Sequence, residues 1–392
     1  MKIRLLFYSH DWFPLVGGVQ TVTLSLATGL AEWSKTHPDE SIEVVFITQT
    51  PANGMDDSEF PFRVLRRPSR RQLIRCIRSA DVLHLAGPVL LPLLLARLLG
   101  TPAIVEHHGY QSACPNGLLL YAPDHAICPG HFMAGRYRKC VQCNAKDLGW
   151  IGSFRNLLST FPRRWLCERA AGNIAVSRHV AMRIALPRTR TIYHGIHDAS
   201  CVRPNSLPGS ENQLRIGYVG RLVREKGLPI LLDAAKHLAN AGIPFHLTLI
   251  GDGTERAELE TTARRLGLQD RITFAGELRG AAFEAALQQV QALVMPSQWE
   301  ETAGLAAIEQ MMRAGVIVAA DIGGLGEIVG DAGLTFSVND SAALAARLQQ
   351  IHENPSLIDS LGAAARTRAT QLFNLDSMIR NHVHLYQEVI AR

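Results

Sequence analysis

The chain has 392 residues, of which 47% are hydrophobic, 19% charged and 6% aromatic, with 32 Gly, 19 Pro and 7 Cys. That length suggests two domains. The composition excludes collagen, disorder, a coiled coil and a disulfide-dense secreted scaffold, because the glycines have no three-residue period and the cysteines are too few. The net charge of +5 conceals an asymmetry: residues 1–200 carry 23 basic and 14 acidic side chains, a balance of +9, and residues 201–392 carry 17 and 21, a balance of −4. The two halves are expected to meet different partners.

No targeting segment is expected. Met1-Lys2-Ile3-Arg4 runs into a short apolar stretch that ends at Ser9-His10-Asp11 without the small-residue cleavage site of a signal peptide. The most apolar stretch, residues 82–96, is interrupted by His84, Pro88 and Pro92 and is shorter than the roughly 20 residues of a spanning helix. The expected location is the cytoplasm, where thiols stay free or bind metal.

In chain order, short apolar runs at 3–9, 42–48, 82–86, 103–107, 172–177 and 189–194 read as strands, with helical patterns between them, clearest at 19–33 and 71–80. Between Gly109 and about Trp150 this rhythm stops. Pro115, Pro123, Pro129 and four cysteines make that stretch one long insertion. A polar linker, residues 198–213, precedes strands at 214–220, 245–251, 271–275, 292–295 and 316–319, each trailed by a helix. The predicted organisation is α/β: one doubly wound domain over 1–197, a second over 214–376, and a last helix at 377–391 that packs back across the junction. Open parallel sheets bind ligands at the carboxyl ends of their strands, so the loops after strands are where chemistry is expected.

Three such loops stand out in the second half. Gly220-Arg221 with Lys226-Gly227 places a planar fork and a point charge before a helix, suited to adjacent phosphates, although a solvated turn reads equally well. Gly251-Asp252-Gly253 offers close backbone approach at a helix start. Residues 295–309 carry Glu301 in a loop and Glu309 in a helix predicted to start near Thr302 or Ala303, with backbone N–H groups after Gly304 between them. Two carboxylates flanking an anion site suit a nucleotide sugar. Glu309 sits among Leu305, Ala306, Ile308, Met311 and Met312, where an unpartnered charge is expensive.

These motifs, with Pro296-Ser297, the Glu-x7-Glu of Glu301 and Glu309, and Gly323-Gly324 followed by Glu327-Ile328-Val329, resemble the donor half of glycosyltransferase family 4. Gly17-Gly18-Val19, His107-His108-Gly109 and Val176-Ser177 extend the resemblance over nearly the whole chain. It implies a GT-B fold, two Rossmann-like doubly wound parallel-sheet domains facing a central cleft. It also implies retaining transfer of a sugar from a UDP- or GDP-sugar to a glycan or lipid-linked acceptor, in cell-envelope polysaccharide or glycolipid biosynthesis. By position, Arg221 and Lys226 would hold the diphosphate, with Gly304 and Leu305 on phosphate, Glu301 on the donor sugar and Glu309 on the ribose. The base would lie near Gly276-Glu277-Leu278, beside Gly253, and Gly17 and Gly18 would approach the donor from the other wall. His108 would hydrogen-bond a donor sugar hydroxyl and, with Glu301, count as catalytic; a histidine merely capping a strand end is the bland alternative. Thr302-Ala303 and Tyr193-His194-Gly195-Ile196-His197 depart from the family pattern and put the sugar subsite in doubt.

The chain contains no Asp-x-Asp, so catalysis without a metal cofactor is expected, with cations and the helix start meeting the leaving-group charge. No carboxylate is placed as a nucleophile, and same-face attack follows from the resemblance. A nucleotide-sugar epimerase and a non-catalytic nucleotide-sugar-binding protein are the rival readings.

Two segments stand apart. From Arg63 to Arg78 there are seven Arg and no acid, with Leu73, Ile74 and Ile77 on one helical face. Such a helix suits an anionic membrane surface, which would make the protein peripheral on the inner face, or else it packs its apolar stripe into the core. No aromatics interleave with the arginines, so nucleic acid is not expected. Cys114, Cys128, Cys140 and Cys143 crowd into thirty residues with His125 and His131. Cys140-x2-Cys143 has the spacing of half a zinc site and Cys114-x13-Cys128 does not match the other half, so structural zinc and unliganded thiols both stand, with a disulfide below them.

Overall fold

The computed structural model describes residues 2–15, 17–198 and 213–392; the linker read at 198–213 lies outside the described residues except at its two ends. The chain divides into two compact units. One is formed by residues up to His197 together with Phe373–Arg392, the other by Asp198–Leu372.

The first unit is built on a seven-stranded parallel sheet. Its elements are β1 (Ile3–Ser9), α1 (Gly18–Thr36), β2 (Ile42–Thr48), β3 (Arg63–Arg66), α2 (Arg70–Ser79), β4 (Val82–Ala86), α3 (Leu90–Leu99), β5 (Ala103–His107), a small hairpin of β6 (Leu120–Tyr121) and β7 (Ala126–Ile127), α4 (Tyr137–Arg169), β8 (Gly172–Ala175), α5 (Arg178–Ile184) and β9 (Thr189–Thr191). The strand order is β3-β2-β1-β4-β5-β8-β9. Leu5, Leu6, Phe7 and Tyr8 are all buried, because helices cover both faces of a parallel sheet and its central strands need not alternate.

Two elements differ from the sequence reading. The arginine-rich run opens with an edge strand, β3, paired with β2 from Val45 opposite Arg63 to Thr48 opposite Arg66. The insertion read at 109–150 ends inside α4, which continues to Arg169 through a break at Gly149, where φ is 65°. In α2, capped by Ser69 and Gln72, Leu73 and Ile77 are buried. The apolar stripe of the basic helix therefore faces the core, and its exposed arginines have no free apolar face beneath them.

The second unit holds β10 (Leu214–Val219), α6 (Leu228–Asn240), β11 (Phe245–Ile250), α7 (Arg256–Arg265), β12 (Ile272–Gly276), α8 (Gly280–Gln288), β13 (Ala292–Met295), α9 (Leu305–Met312), β14 (Val316–Ala320), α10 (Gly324–Val329), β15 (Leu334–Phe336), α11 (Ser341–Glu353) and α12 (Ser356–Leu372). Its six parallel strands run β12-β11-β10-β13-β14-β15. The order reverses between β10 and β13, so the loops after those two strands border the switch point where doubly wound sheets take ligands.

The second unit ends at Leu372, four residues before the boundary read at 376. Helix α13 (Leu375–Ile390) belongs to the first unit and packs on α1. Asn374 caps it by accepting from the Ser377 N–H at 2.8 Å. Its apolar face buries Met378, Ile379, Val383 and Tyr386, and the Arg190 side chain reaches Glu388 at 2.5 Å. The Tyr386 hydroxyl lies 2.9 Å from His84 Nδ1 inside the core. Tyr386→Phe leaves that imidazole nitrogen buried and unpaired, at a cost of about 1–3 kcal/mol. Thermal melting should show a lower transition for the variant, and an unchanged melting temperature would contradict the role given to this bond.

Candidate active site

In the second unit the loops after β10, β11 and β12 are stitched edge to edge. Gly220 N–H donates to Ile250 O at 3.0 Å, Leu222 N–H to Asp252 O at 2.9 Å, and Gly251 N–H to Gly276 O at 2.8 Å. A side chain on Gly251 or Gly253 would strike the backbone of Gly220 or Leu222, so these glycines permit the strand-end loops to touch. Leu278, half-buried, follows Gly276 directly into this group. Helix α7 starts at Arg256, and Gly253 lies before it, not at its first turn as the sequence suggested.

The loop after β13 holds Glu301, which is buried. Its Oε1 accepts from Lys226 Nζ at 2.5 Å and from Ser297 Oγ at 2.7 Å. Burial pushes this carboxyl up, and the Lys226 ammonium with the two hydrogen bonds outweighs that effect and holds it below the usual carboxylate range. Two backbone contacts fix the pair. Gln298 N–H donates to Glu225 O at 2.9 Å, and Gly324 N–H donates to Glu301 O at 2.6 Å. Gly323, at φ 60°, lies so close that a Cβ there would stand 2.5 Å from Glu301 O and 2.6 Å from Glu301 N. The glycine pair that marked the family resemblance thus seats the acidic loop.

Helix α9 begins at Leu305 and not at Thr302 or Ala303, because Gly304 stops the loop in a left-handed conformation at φ 59°. Its first N–H groups have no partner within the helix, and they follow Glu301 by four residues. Glu309 lies one turn in, half-buried, and burial raises its pKa against the pull of Arg313. The Arg313 guanidinium is engaged by Glu284 at 2.6 Å and by the Glu309 carbonyl at 2.8 Å. Arg221, by contrast, is 71% exposed at its side chain and stands 3.7 Å from Glu225. The structure brings Lys226, Glu301 and the α9 start together and leaves Arg221 at the rim.

In the first unit, Gly17 caps α1 and Gly18 opens it. Val19, Gln20, His10 and His108 line one cavity of about 550 Å³. His108 sits at the end of a buried polar cluster that the sequence did not reveal. Its Nδ1 lies 3.2 Å from His194 Nε2, and its Nε2 is 3.7 Å from Glu106 Oε2. The same carboxylate oxygen lies 3.0 Å from His84 Nε2 and 3.8 Å from His382 Nε2. His382 Nδ1 is 2.8 Å from Met378 O. Burial pushes Glu106 up, and the facing imidazoles of His108, His382 and His84 hold it well below the carboxylate range. Burial lowers His108 and takes His194 down to about 3. His107 is buried on Asn173 at 3.0 Å and lowered by burial to about 4. The signal that could have found Glu106 is its place inside a strand, where an acid demands a partner.

Comparison with known proteins agrees with this architecture. Residues 204–368 match the family model described as glycosyl transferases group 1. A 2-deoxystreptamine glucosyltransferase of Streptomyces kanamyceticus is 28% identical over 289 residues, 69% of this chain and just under two thirds, 65%, of that relative's length. A 2-deoxystreptamine N-acetyl-D-glucosaminyltransferase of Streptomyces fradiae is 28% identical over 94% of this chain and 95% of its own. Among solved structures, Anabaena HepE in complex with UDP superposes with a TM-score of 0.71 at 17% identity, covering 98% of this chain and 100% of that one. The chain is a two-unit α/β protein of the GT-B fold. Residues 204–368 are similar to the group 1 glycosyl transferases, and the chain as a whole is similar to the two Streptomyces glycosyltransferases.

Two outcomes follow. Gly323→Ala adds a Cβ against the Glu301 backbone at a left-handed position, and overpacking with strain should cost about 2–4 kcal/mol; chemical denaturation followed by the signal of Trp299, two residues from Glu301, reads it. The buried neutral imidazoles of His107 and His194 take up protons when the first unit unfolds below about pH 6.5. Their contribution is full above that pH and declines as the pH falls toward their folded values of about 4 and about 3. The slope is up to about 1.4 kcal/mol per pH unit for each group. Melting curves between about pH 7 and pH 5 should show this slope, and His194→Gln should flatten it.

Proposed function

We propose that the protein is a retaining glycosyltransferase of the family 4 type that takes its sugar from a UDP-sugar, with a GDP-sugar as the second choice. The observation that carries this reading is the buried Lys226–Glu301 pair at the switch point, next to the start of α9. In this reading Lys226 and the α9 N–H groups neutralise the diphosphate, Arg221 closes on it from the rim, and Glu309 takes the ribose hydroxyls. Glu301, ionised and already oriented by Ser297, accepts from donor sugar hydroxyls. Leu278 and Gly253 border the base. The HepE structure is a complex with UDP, which favours uridine here.

Charge develops on the leaving diphosphate as the sugar–phosphate bond breaks, and fixed donors aimed at it lower the barrier without reorganising. The acceptor hydroxyl attacks on the departing face and passes its proton to a phosphate oxygen. His108 is assigned to a donor sugar hydroxyl on the family resemblance. Metal-independent transfer is part of the same proposal, since Lys226 and the helix start supply the positive charge. A glycan or lipid-linked acceptor in envelope biosynthesis is the first choice; the names of the two Streptomyces relatives favour a second, a small aminocyclitol.

UDP should raise the melting temperature by mass action, with or without EDTA. Glu309→Ala should weaken UDP binding about 10- to 100-fold, a loss of about 1.4–2.7 kcal/mol, measured by calorimetry. A stabilising response to NAD and none to any nucleoside diphosphate would overturn the reading. Donor turnover without acceptor would favour the epimerase, and tight donor binding with no product from glycan, lipid-linked or aminocyclitol acceptors would favour a binding protein.

A further inference from the structure

Helix α4 buries Leu157, Leu166 and Cys167 and still leaves a second apolar face in solvent. After its break at Gly149, it buries Ser153 and Thr160 and ties Asn156 to Pro115 O at 2.9 Å. Trp150, Ile151, Phe154, Leu158, Phe161 and Trp165 are exposed instead, Ile151 at 79% and Trp150 at 66%. On an ideal helix these six fall within an arc of about 100° and about 22 Å of length. Leu94 and Leu98 of the adjoining α3 extend the apolar surface. A soluble helix hides such a stripe, and a continuous exposed one marks a contact surface.

The charges around the stripe select the partner. Arg155 and Arg169 flank it, Arg169 lying over the Trp165 ring at 4.2 Å, and Lys146 and Arg97 are exposed nearby, against two acids, Asp147 and the Arg164-paired Glu168. An apolar face with indoles near both ends and cations at its margins matches the boundary between acyl chains and anionic headgroups. We propose that the α4 face of the first unit docks on an anionic lipid bilayer, with the indoles and Phe154 inserted and the arginines on headgroups. Among the described residues no helix is long and apolar enough to cross a membrane, so the contact is interfacial. The surface differs from the basic helix singled out in the sequence, α2, whose apolar side chains are already in the core. It also borders the His108 cavity through Leu91 of α3, which lines that cavity and is exposed beside Leu94 and Leu98. Docking would bring that cavity's mouth to the lipid surface. This deepens the lipid-linked acceptor reading.

Vesicle flotation tests the docking without donor or acceptor, so its outcome is independent of the transfer reaction. The full chain should float with vesicles of phosphatidylglycerol and phosphatidylethanolamine and bind pure phosphatidylcholine weakly, with a blue shift of tryptophan emission. Ile151→Glu with Phe154→Glu removes two inserted side chains from exposed positions and should weaken binding by about 100-fold or more. Unchanged binding in that variant, or loss only on replacing Arg71 and Arg75 of α2, would overturn the proposal. So would a stable dimer by sedimentation that the same double variant dissociates, because a second copy would then cover the face.

A second proposal has separate support. We infer that Cys114, Cys128, Cys140 and Cys143 hold one structural zinc ion that clamps the insertion. The four come from a turn, the end of the β6–β7 hairpin and the first turns of α4, and with His131 they line a space of about 10 Å³. All four are buried and free, so no disulfide forms among them. Donors already face the sulfurs: Asn116 Nδ2 and Ala122 N–H point at Cys143 Sγ from 3.2 and 3.3 Å, and His131 N–H at Cys128 Sγ from 3.5 Å. Such N–H groups stabilise thiolates. No three of the sulfurs lie within 4.8 Å of one another, so ligation at the roughly 2.3 Å of a Zn–S bond draws them inward. Elemental analysis of the chain purified without chelator should give one zinc per chain, released by a mercurial, and Co²⁺ substitution should show sulfur-to-metal charge transfer. Cys140→Ser and Cys143→Ser should lose the metal, and His131→Ala should keep it. A chain free of metal, or metal kept by the cysteine variants and lost in Glu106→Gln, would overturn this second proposal.

Discussion

The second unit of this protein depends on a close approach between backbone segments that only glycine allows. Lys226 and Glu301 come from different strand-end loops, and their carboxylate–ammonium contact is nearly shielded from water. A buried pair of this kind gains little net stability, because desolvation offsets the attraction unless every remaining group is held in place. Ser297 and the Gly324 N–H provide that hold, and Gly323 leaves the space for it. The result is a charge arrangement set before any ligand arrives, the condition under which electrostatics accelerates a reaction.

The first unit solves a different problem. Five titratable side chains, His84, Glu106, His108, His194 and His382, share its interior. One carboxylate serves three imidazoles, and Tyr386 on the last helix completes the network. The C-terminal segment is therefore part of the first unit in its polar core as well as in its apolar packing. His108, at the edge of the cluster, is positioned by groups far away in sequence, and its orientation follows from the whole network and not from the neighbouring residues alone.

The charge asymmetry of the sequence also gains a physical setting. The positive half contains both the arginine-bearing α2 and α4. The first has hidden its apolar side and the second leaves one exposed. Basic residues alone confer attraction to any anionic surface; an exposed aromatic and aliphatic face beside them confers a preference for lipid.

Much of the architecture could be read directly from the residues. The strands at Ile3–Ser9, Ile42–Thr48, Val82–Ala86 and Ala103–His107 were legible to the residue, because parallel strands buried on both faces are continuous apolar runs bounded by polar turns. The edge strand Arg63–Arg66 was hidden, since half its residues are arginines and edge strands need little apolar character. Helix α4 was hidden because it carries apolar residues on both its buried and its exposed sides and its proline and glycine interrupt the pattern. Glu301, Glu309 and Lys226 could be picked out from motif and spacing alone. That Lys226 meets Glu301 while Arg221 stays at the rim, and that Glu106 gathers three histidines, came only from folding. Local sequence determines periodicity and turn chemistry within a few residues, whereas a contact between side chains 75 or 276 positions apart depends on which loops the strand order brings together.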